Sequence, residues 1–496
     1  MSRISSSLVS ALVAFDAASP DPLHRQLYGK LRNAILTGRI SPGAQIPSSR
    51  DLARELGVAR NTVLNAIEQL IAEGYLQGEQ GAGTYVNRTL PDDTLHVPHL
   101  QASPAQRTRT CYPLSLRSKG LTPLSALLPS AKQTKPFQPA VPAVDAFPFD
   151  LWAKLVQKQW RRHPRNLLGF GEPAGYLPLR SAIATYLTVA RAVRCEAEQV
   201  IIVSGAQKAL DLTSRLLIDP GDPVWIEEPG YPGVRATLLA AGAHLIPVPV
   251  DEEGLNIQAG VARSAQARLV YVTPSHQFPL GYTMTLARRL ELLNWSQRAR
   301  AWILEDDYDS EYRYTSRPIP ALQGLAAQEQ VIYVGTFSKV LFPSLRLGYL
   351  VVPSTLVDVF SAARTVAAGQ SPLIEQAVLA EFITEGHFGR HIRRMRTLYQ
   401  ERRAVLLDEA KRELTGLLGV QVSDAGLYVI GWLPQGIDDR SVAQLAAAEG
   451  VDTAPLSGFY RGSGKRSGLM LGFAAFSAPE LRSGVRKLAR ALRAVK

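Results

Sequence analysis

Lys339 ends the run Gly335-Thr336-Phe337-Ser338-Lys339, directly after the apolar stretch Val331-Ile332-Tyr333-Val334. Its amine is therefore delivered from the end of a buried strand, where an amine can add to a carbonyl group. Glu305-Asp306-Asp307-Tyr308 follow a second apolar run, Trp302-Ile303-Leu304. Their carboxylates and phenol emerge at a strand's C-terminal end, where α/β proteins bind ligands. Ser204-Gly205-Ala206-Gln207 lie between the run Val200–Val203 and a helix beginning near Lys208. Free backbone N–H groups at such a helix start suit a phosphate. Arg346, seven residues after Lys339, adds a charge-assisted clamp, and Tyr231 in Glu228-Pro229-Gly230-Tyr231-Pro232 offers an aromatic face. Taken singly these signals are weak, since a lysine after a serine is trivial and an acidic run is usually a solvated turn. Their order and spacing together are not trivial.

A second set of side chains suits nucleic acid. A recognition helix must present short polar and basic side chains on its first turn, within reach of base edges. Arg60, Asn61 and Thr62 supply them, with Asn65 a turn further on. Ser48, three residues before Asp51, opens the preceding short helix as a capping-box-like start, and Arg50 at that start is placed to meet a phosphate. Gly81 and Gly83 let a wing approach the duplex closely, with Thr84 as a further donor. The bland alternative is a small helical-plus-hairpin domain for protein contacts.

These residues require particular elements to hold them. Leu23, Leu27, Leu31 and Ile35 recur at helical spacing and stop near Gly38 and Pro42-Gly43. A short helix from Ser48 ends at Gly57, and a third, from about Arg60, buries Val63, Ile67, Leu70 and Ile71. Tyr75–Gly78 and Thr84–Val86 then form a two-stranded wing, giving one domain over residues 20–87. Residues 88–146 are rich in proline and poor in periodic apolar runs, which predicts an extended, semi-rigid linker. From 147 to 496, short apolar runs at 200–203, 223–226, 269–272, 302–304 and 331–334 alternate with helical stretches, as a largely parallel α/β sheet requires.

Residues 22–87 resemble the DNA-binding domain of the GntR family, through Pro47-Ser48, Arg50-Asp51-Leu52-Ala53, Leu56-Gly57-Val58, Arg60, Gly74-Tyr75-Leu76 and Gly83-Thr84. From about Phe147 the chain resembles a class I aminotransferase, a pyridoxal-phosphate-dependent transferase of fold type I. Pyridoxal phosphate requires a lysine for its aldehyde, an acid at its pyridine nitrogen, a donor at its phenolic oxygen and donors at its phosphate. The resemblance implies that Lys339, after Ser338, carries the aldimine. It further implies that Asp306 pairs with the pyridine nitrogen, Tyr308 donates to the phenolic oxygen and Tyr231 stacks on the ring. Two positions depart from the aminotransferase pattern. Phe278-Pro279-Leu280-Gly281 replaces a motif whose Asn touches the phenolic oxygen, so either His276 or Gln277 takes over that contact or Tyr308 stands alone. Met470 stands where an arginine commonly grips the substrate carboxylate, which puts ordinary transamination in doubt.

The whole architecture, a winged helix-turn-helix followed by a fold-type I domain, resembles the MocR subfamily of GntR regulators. The segment Gly386–Tyr399 resembles it too. That resemblance implies a homodimer that binds promoter DNA and responds to pyridoxal phosphate or to a small amine or amino acid forming an external aldimine with it. The alternative reading is a working aminotransferase that retains a DNA-binding module.

Composition is compatible with both. The net charge of +12 favours a polyanionic partner. The excess is not in the DNA-binding part, since residues 1–90 hold nine Lys/Arg against seven Asp/Glu. Two cysteines, Cys111 and Cys195, exclude a disulfide framework and a four-cysteine zinc site, and no metal is expected. No apolar run is long enough to span a bilayer, a signal peptide is the weaker reading of the mildly apolar N-terminus, and the expected location is the cytoplasm.

Overall fold

The computed structural model describes residues 13, 15–16, 19–79, 83–91, 112–113, 134–162, 164–314, 319–368, 371–462 and 466–495. The chain divides into two compact units, Met1–Tyr112 and Pro113–Lys496.

In the first unit, α1 (Leu23–Leu36) buries Leu27, Leu31, Ala34 and Ile35. Helix α2 (Ser49–Leu56) is capped by Ser48, whose hydroxyl accepts from the Asp51 N–H and donates to the Asp51 carboxylate at 2.6 Å. It stops at Gly57, whose φ of 64° is left-handed and suits glycine. Helix α3 (Arg60–Ala72) turns Val63, Ala66, Ile67 and Leu70 inward. Ile71, expected on that face, keeps the four-residue spacing from Ile67 but is 39% exposed near the end of the helix. Strands β2 (Leu76–Glu79) and β3 (Gly83–Val86) form the expected wing. A short strand not foreseen, β1 (Gln45–Ile46), pairs with β3 and completes a three-stranded sheet. Two residues leave no periodicity to read.

The second unit is built on an eight-stranded sheet in the order β4-β11-β10-β9-β8-β5-β6-β7. Its strands are β4 (Val200–Val203), β5 (Pro223–Glu228), β6 (His244–Asp251), β7 (Gly254–Leu255), β8 (Leu269–Val272), β9 (Trp302–Asp307), β10 (Val331–Thr336) and β11 (Gly348–Val351). Neighbours from β10 through β9, β8 and β5 to β6 are parallel, while β11 is antiparallel to both β10 and β4. Strand β4 therefore points the same way as β10, and the C-terminal ends of β4, β5, β8, β9 and β10 share one edge. Every residue of β4 and β8 is buried, as strands covered on both faces must be. In β4, Val200 and Ile202 join one core cluster while Ile201 and Val203 join another. All five sequence-read runs are strands of this sheet. Strand β6, not among those runs, carries Pro247 and Pro249 and lies next to the edge strand β7.

A four-stranded antiparallel sheet follows, in the order β12-β13-β15-β14. It comprises β12 (Gly419–Gln421), β13 (Tyr428–Trp432), β14 (Ala454–Pro455) and β15 (Gly468–Gly472). Val429, Leu469 and Leu471 share a core cluster with Met395, Leu406, Val485 and Leu488 of the helices His387–Glu413 and Ala478–Arg493.

The reading of residues 88–146 as linker needs correction at its C-terminal end. Phe137 is fully buried and bridges to Gly472, whose N–H donates to the Phe137 carbonyl at 2.8 Å. The Ala143 N–H donates to the Tyr399 hydroxyl at 2.9 Å. Prolines 136, 139 and 142 suppress periodicity without preventing burial, so the described residues 134–146 belong to the folded unit. Residues 92–111 and 114–133 lie outside the described residues.

Candidate functional site: a lysine-centred cofactor pocket and an exposed recognition helix

The shared edge of the large sheet gathers the chemistry. Lys339 follows β10, Asp306 is the penultimate residue of β9, Ser275 to Gln277 follow β8, Glu227 and Glu228 end β5 with Tyr231 just beyond, and Ser204-Gly205 follow β4. Strand register sets Asp306 opposite Val334 and Glu305 opposite Val272.

The acidic run divides its labour by strand alternation. Asp307 is buried and receives Arg191 Nε at 2.8 Å, Ser310 Oγ at 2.8 Å and the Tyr333 hydroxyl. Burial alone would raise its pKa, but Arg191 and these donors hold it below the usual carboxylate value. Glu305 caps the helix Leu322–Leu325, accepting from the N–H groups of Leu322 and Gln323. Asp306 points to the opposite face. Its Oδ2 accepts from the Tyr271 hydroxyl at 2.8 Å, while its buried Oδ1 has no partner among the described residues. Burial pushes its pKa up to about 7, with Tyr271 and Lys339 acting against the shift. An acceptor in this condition matches a protonated ring nitrogen, because a buried lone pair without a partner is costly.

Lys339 is half-buried, and its amine donates to the Ala140 carbonyl at 2.8 Å. Desolvation lowers its pKa, opposed by Asp309 and Asp306. The lysine is thus biased toward the neutral, nucleophilic form, as carbonyl chemistry requires.

His276 and Gln277 face different ways. Gln277 is turned away, donating to Glu227 at 3.2 Å and to the carbonyls of Pro229 and Phe278. His276 Nδ1 lies 2.9 Å from Asp309 Oδ2 and 2.9 Å from the Tyr308 hydroxyl. With a carboxylate as its main partner, Nδ1 carries the proton and shares it with the Tyr308 oxygen. The Tyr308 proton is then left to donate elsewhere. Gly426 makes this possible: with φ at 86°, a Cβ there would sit 2.0 Å from His276 Cε1.

At the end of β4, Gly205 has φ 92° and caps the helix Ala206–Leu217 without a side-chain cap. The N–H groups of Ala206 and Gln207 open that helix toward the site. The Gln207 side chain orients Tyr231, because its Oε1 accepts from the Tyr231 hydroxyl at 3.3 Å and its Nε2 donates to the Gly233 carbonyl at 2.9 Å. Ser338 is half-buried, its N–H donating to Thr336 Oγ1. Arg346 is exposed in the left-handed conformation, φ 52°, and makes no hydrogen bond or ion pair among the described residues. The phosphate donors and the orphaned Asp306 oxygen fit pyridoxal phosphate. Sequence reasoning missed Tyr271 and Asp309, and with them Tyr428, whose hydroxyl lies 3.2 Å from that of Tyr308, and Ser423, whose hydroxyl lies 3.5 Å from His276 Nε2. Asp309 alone had a legible signal, as the next acid after Tyr308.

In the first unit, Arg60, Asn61 and Asn65 are exposed on α3 and Thr62 is half-exposed. Arg60 Nε donates to Ser49 Oγ at 3.4 Å, joining the starts of α3 and α2. Arg50 and Gly83 are exposed, Thr84 is half-exposed, and Gly81 lies outside the described residues. Ser48 is spent on its cap. No side chain caps α3; the Thr62 N–H donates to the Ala59 carbonyl at 3.0 Å, which leaves those of Arg60 and Asn61 to face an anion.

Residues 23–86 match the family of bacterial regulatory proteins, gntR family, and residues 143–488 match aminotransferase class I and II. The chain is 41% identical over 98% of its length, and 96% of the relative's, to the probable rhizopine catabolism regulatory protein MocR of Rhizobium meliloti. The chain belongs to the MocR subfamily of GntR transcriptional regulators. It is likewise 32% identical, over 95% of its length and 96% of the relative's, to the pyridoxine biosynthesis transcriptional regulator PdxR of Corynebacterium glutamicum. Among solved structures it resembles LysN, an α-aminoadipate aminotransferase of Thermus thermophilus complexed with N-(5'-phosphopyridoxyl)-L-leucine. That likeness has a TM-score of 0.69 and 28% identity, covering 76% of this chain and 98% of that one. The MocR-type regulator thus pairs a GntR winged helix with a fold-type I domain whose cofactor is pyridoxal phosphate. No described helix is long and apolar enough to cross a membrane, and no described cluster of His, Cys, Asp and Glu could hold a metal ion.

Proposed function

We propose that this regulator acts in the cytoplasm as a homodimer on promoter DNA, and that its cofactor domain senses a small amine or amino acid through Lys339. Pyridoxal phosphate supplies an aldehyde with which primary amines exchange. The residues around it divide the work. Ala206, Gln207 and Arg346 would hold the phosphate, Tyr231 would cover the ring, Asp306 would hold the ring nitrogen's proton, and Tyr308, oriented by His276, would donate to the phenolic oxygen. Lys339 is the resident amine that an effector displaces. The observation carrying this reading is that Lys339 faces Asp306, whose buried oxygen is unpartnered among the described residues, on a chain that also bears a GntR winged helix. Arg60, Asn61, Thr62 and Asn65 read bases, while Arg50, Gly83 and Thr84 meet the backbone.

Apolar surface supports the homodimer. Trp160, Leu168, Phe170 and Leu177 are exposed, Phe170 to 99%. A cavity of about 400 Å³ lies beside them, lined by Trp152, Leu167, Leu168, Pro372 and Leu373. Surface of this kind marks an interaction site. Met470 speaks against the aminotransferase reading, because a thioether replaces the carboxylate-gripping cation.

The test is Lys339→Ala assayed in a promoter–reporter strain. A shift in promoter occupancy requires differential affinity of the effector for two conformations, and the variant removes the group that an effector must displace. Promoter binding should survive while the effector response disappears. Robust multiple turnover with amino donors, together with an intact response in Lys339→Ala, would replace the sensor reading with the enzyme.

A further inference from the structure

Strands β13 and β15 sort their side chains onto two faces. Val429, Leu469 and Leu471 join the core that includes the long helices, while Tyr428, Ile430 and Met470 turn the other way. There they cluster with Leu456 and Phe459, and Phe278, Trp432 and Ala454 pack against them. Met470 is fully buried in this cluster. The cluster adjoins the lysine pocket directly, since Tyr428 Oη lies 3.2 Å from the Tyr308 hydroxyl. The Phe278 ring centroid is 5.6 Å from that of Tyr231 and 5.2 Å from that of Phe459. The two departures from the aminotransferase pattern, Phe278 and Met470, are therefore parts of one apolar wall.

The charges on the other sides of the pocket are acidic. Asp306 and Asp309 both face Lys339, with Glu227 and Asp307 buried behind them. Four of the surrounding described cations are engaged elsewhere, and Arg346 is taken by the phosphate on the reading above. Arg191 is paired with Asp307, Arg403 lies 4.5 Å from the Tyr314 ring, Arg466 lies 3.9 Å from the Trp432 ring, and Arg440 donates to Ser457. Arg235 lies near Glu228 and Arg461, with its Nε buried and unpartnered among the described residues. The side of the pocket that an incoming amine meets is acidic, with Asp309 held by His276 and Asp306 reserved for the ring nitrogen. A carboxylate on the same carbon would be buried next to like charges, facing a thioether.

We propose that the effector is a primary amine with no carboxylate on its nitrogen-bearing carbon, and that Met470 is the residue that sets this selectivity. The proposal rests on the amine-sensing reading of Lys339. Its test is spectral titration of the purified, cofactor-loaded protein with matched pairs: butylamine against norvaline, and phenethylamine against phenylalanine. Hydroxylamine serves as the reference nucleophile. At least one amine should perturb the cofactor spectrum at a concentration tenfold or more below its amino-acid counterpart. Met470→Arg should erase or reverse that ratio, while Met470→Leu keeps it. Equal or better response to the amino acids in the wild type overturns the proposal, whether or not Met470→Arg folds. A ratio unchanged in a folded Met470→Arg overturns it too. If hydroxylamine reacts and neither member of any pair does, the selectivity proposal falls and the Lys339 reading stands. If hydroxylamine also leaves the spectrum unchanged, the Lys339 reading itself falls.

Discussion

Asp306 carries a pH signature that can be measured without DNA or effector. Its pKa in the folded protein is raised to about 7 by burial, against roughly 3.9 for an unfolded aspartate. Between those values the folded state binds a proton that the unfolded chain does not. Its stabilising contribution is therefore complete below about pH 4 and is lost as pH rises toward 7. Cofactor-free Asp306→Asn should lack this loss, so its melting temperature should gain on the wild type between pH 4 and 7. A constant difference across that window would show that Asp306 is not held in the protonated form. The DNA-facing residues separate by role at the same scale. Arg60→Ala and Asn61→Ala should each relax sequence preference at a cost of about 1–3 kcal/mol if they read bases. Arg50→Ala should weaken all sequences alike and reduce the salt slope by about one phosphate contact. Operator titrations at several salt concentrations distinguish the two, and an unaltered preference in Arg60→Ala would misplace the recognition helix.

At the scale of elements, the strap at 134–146 is the least expected feature. Phe137 and Ala140 adopt φ of 73° and 60°, a conformation that non-glycine residues hold only when packing imposes it. Phe137 supplies that packing by burying its whole side chain, and a Cβ on Gly472 would sit 2.1 Å from the Gln138 carbonyl oxygen. Phe137→Ala should destabilise the cofactor-binding unit by about 3–5 kcal/mol, read by denaturant titration. It should also loosen the Ala140 carbonyl that receives Lys339. A cost below about 1 kcal/mol would mean that the strap is not integral to the unit.

At the scale of the whole molecule, the exposed apolar patch around Phe170 and the cavity beside it call for a partner copy. Light scattering should give twice the 54.1 kDa chain mass, and Phe170→Asp should shift the protein toward monomer. A monomeric wild type at concentrations that saturate the promoter would refute the dimer. Two winged helices per dimer then require two half-sites on one face of the DNA.

Much of this was legible in the amino-acid sequence. Apolar periodicity and caps placed α1 to α3, and short buried runs placed β4, β5, β8, β9 and β10, because burial on both faces leaves a continuous apolar signature. The order of Ser204-Gly205, Asp306, Tyr308 and Lys339 along the chain pointed to the cofactor, since each must lie at a strand end. The tertiary structure alone decided which of three consecutive acids faces Tyr271 and Lys339, that His276 rather than Gln277 reaches Tyr308, and that Phe278 and Met470 share one wall. Those outcomes depend on which face of a strand each side chain occupies and on neighbours up to 192 residues away in sequence, as between Phe278 and Met470. Local propensity carries no information about such contacts; packing across the sheet edge does.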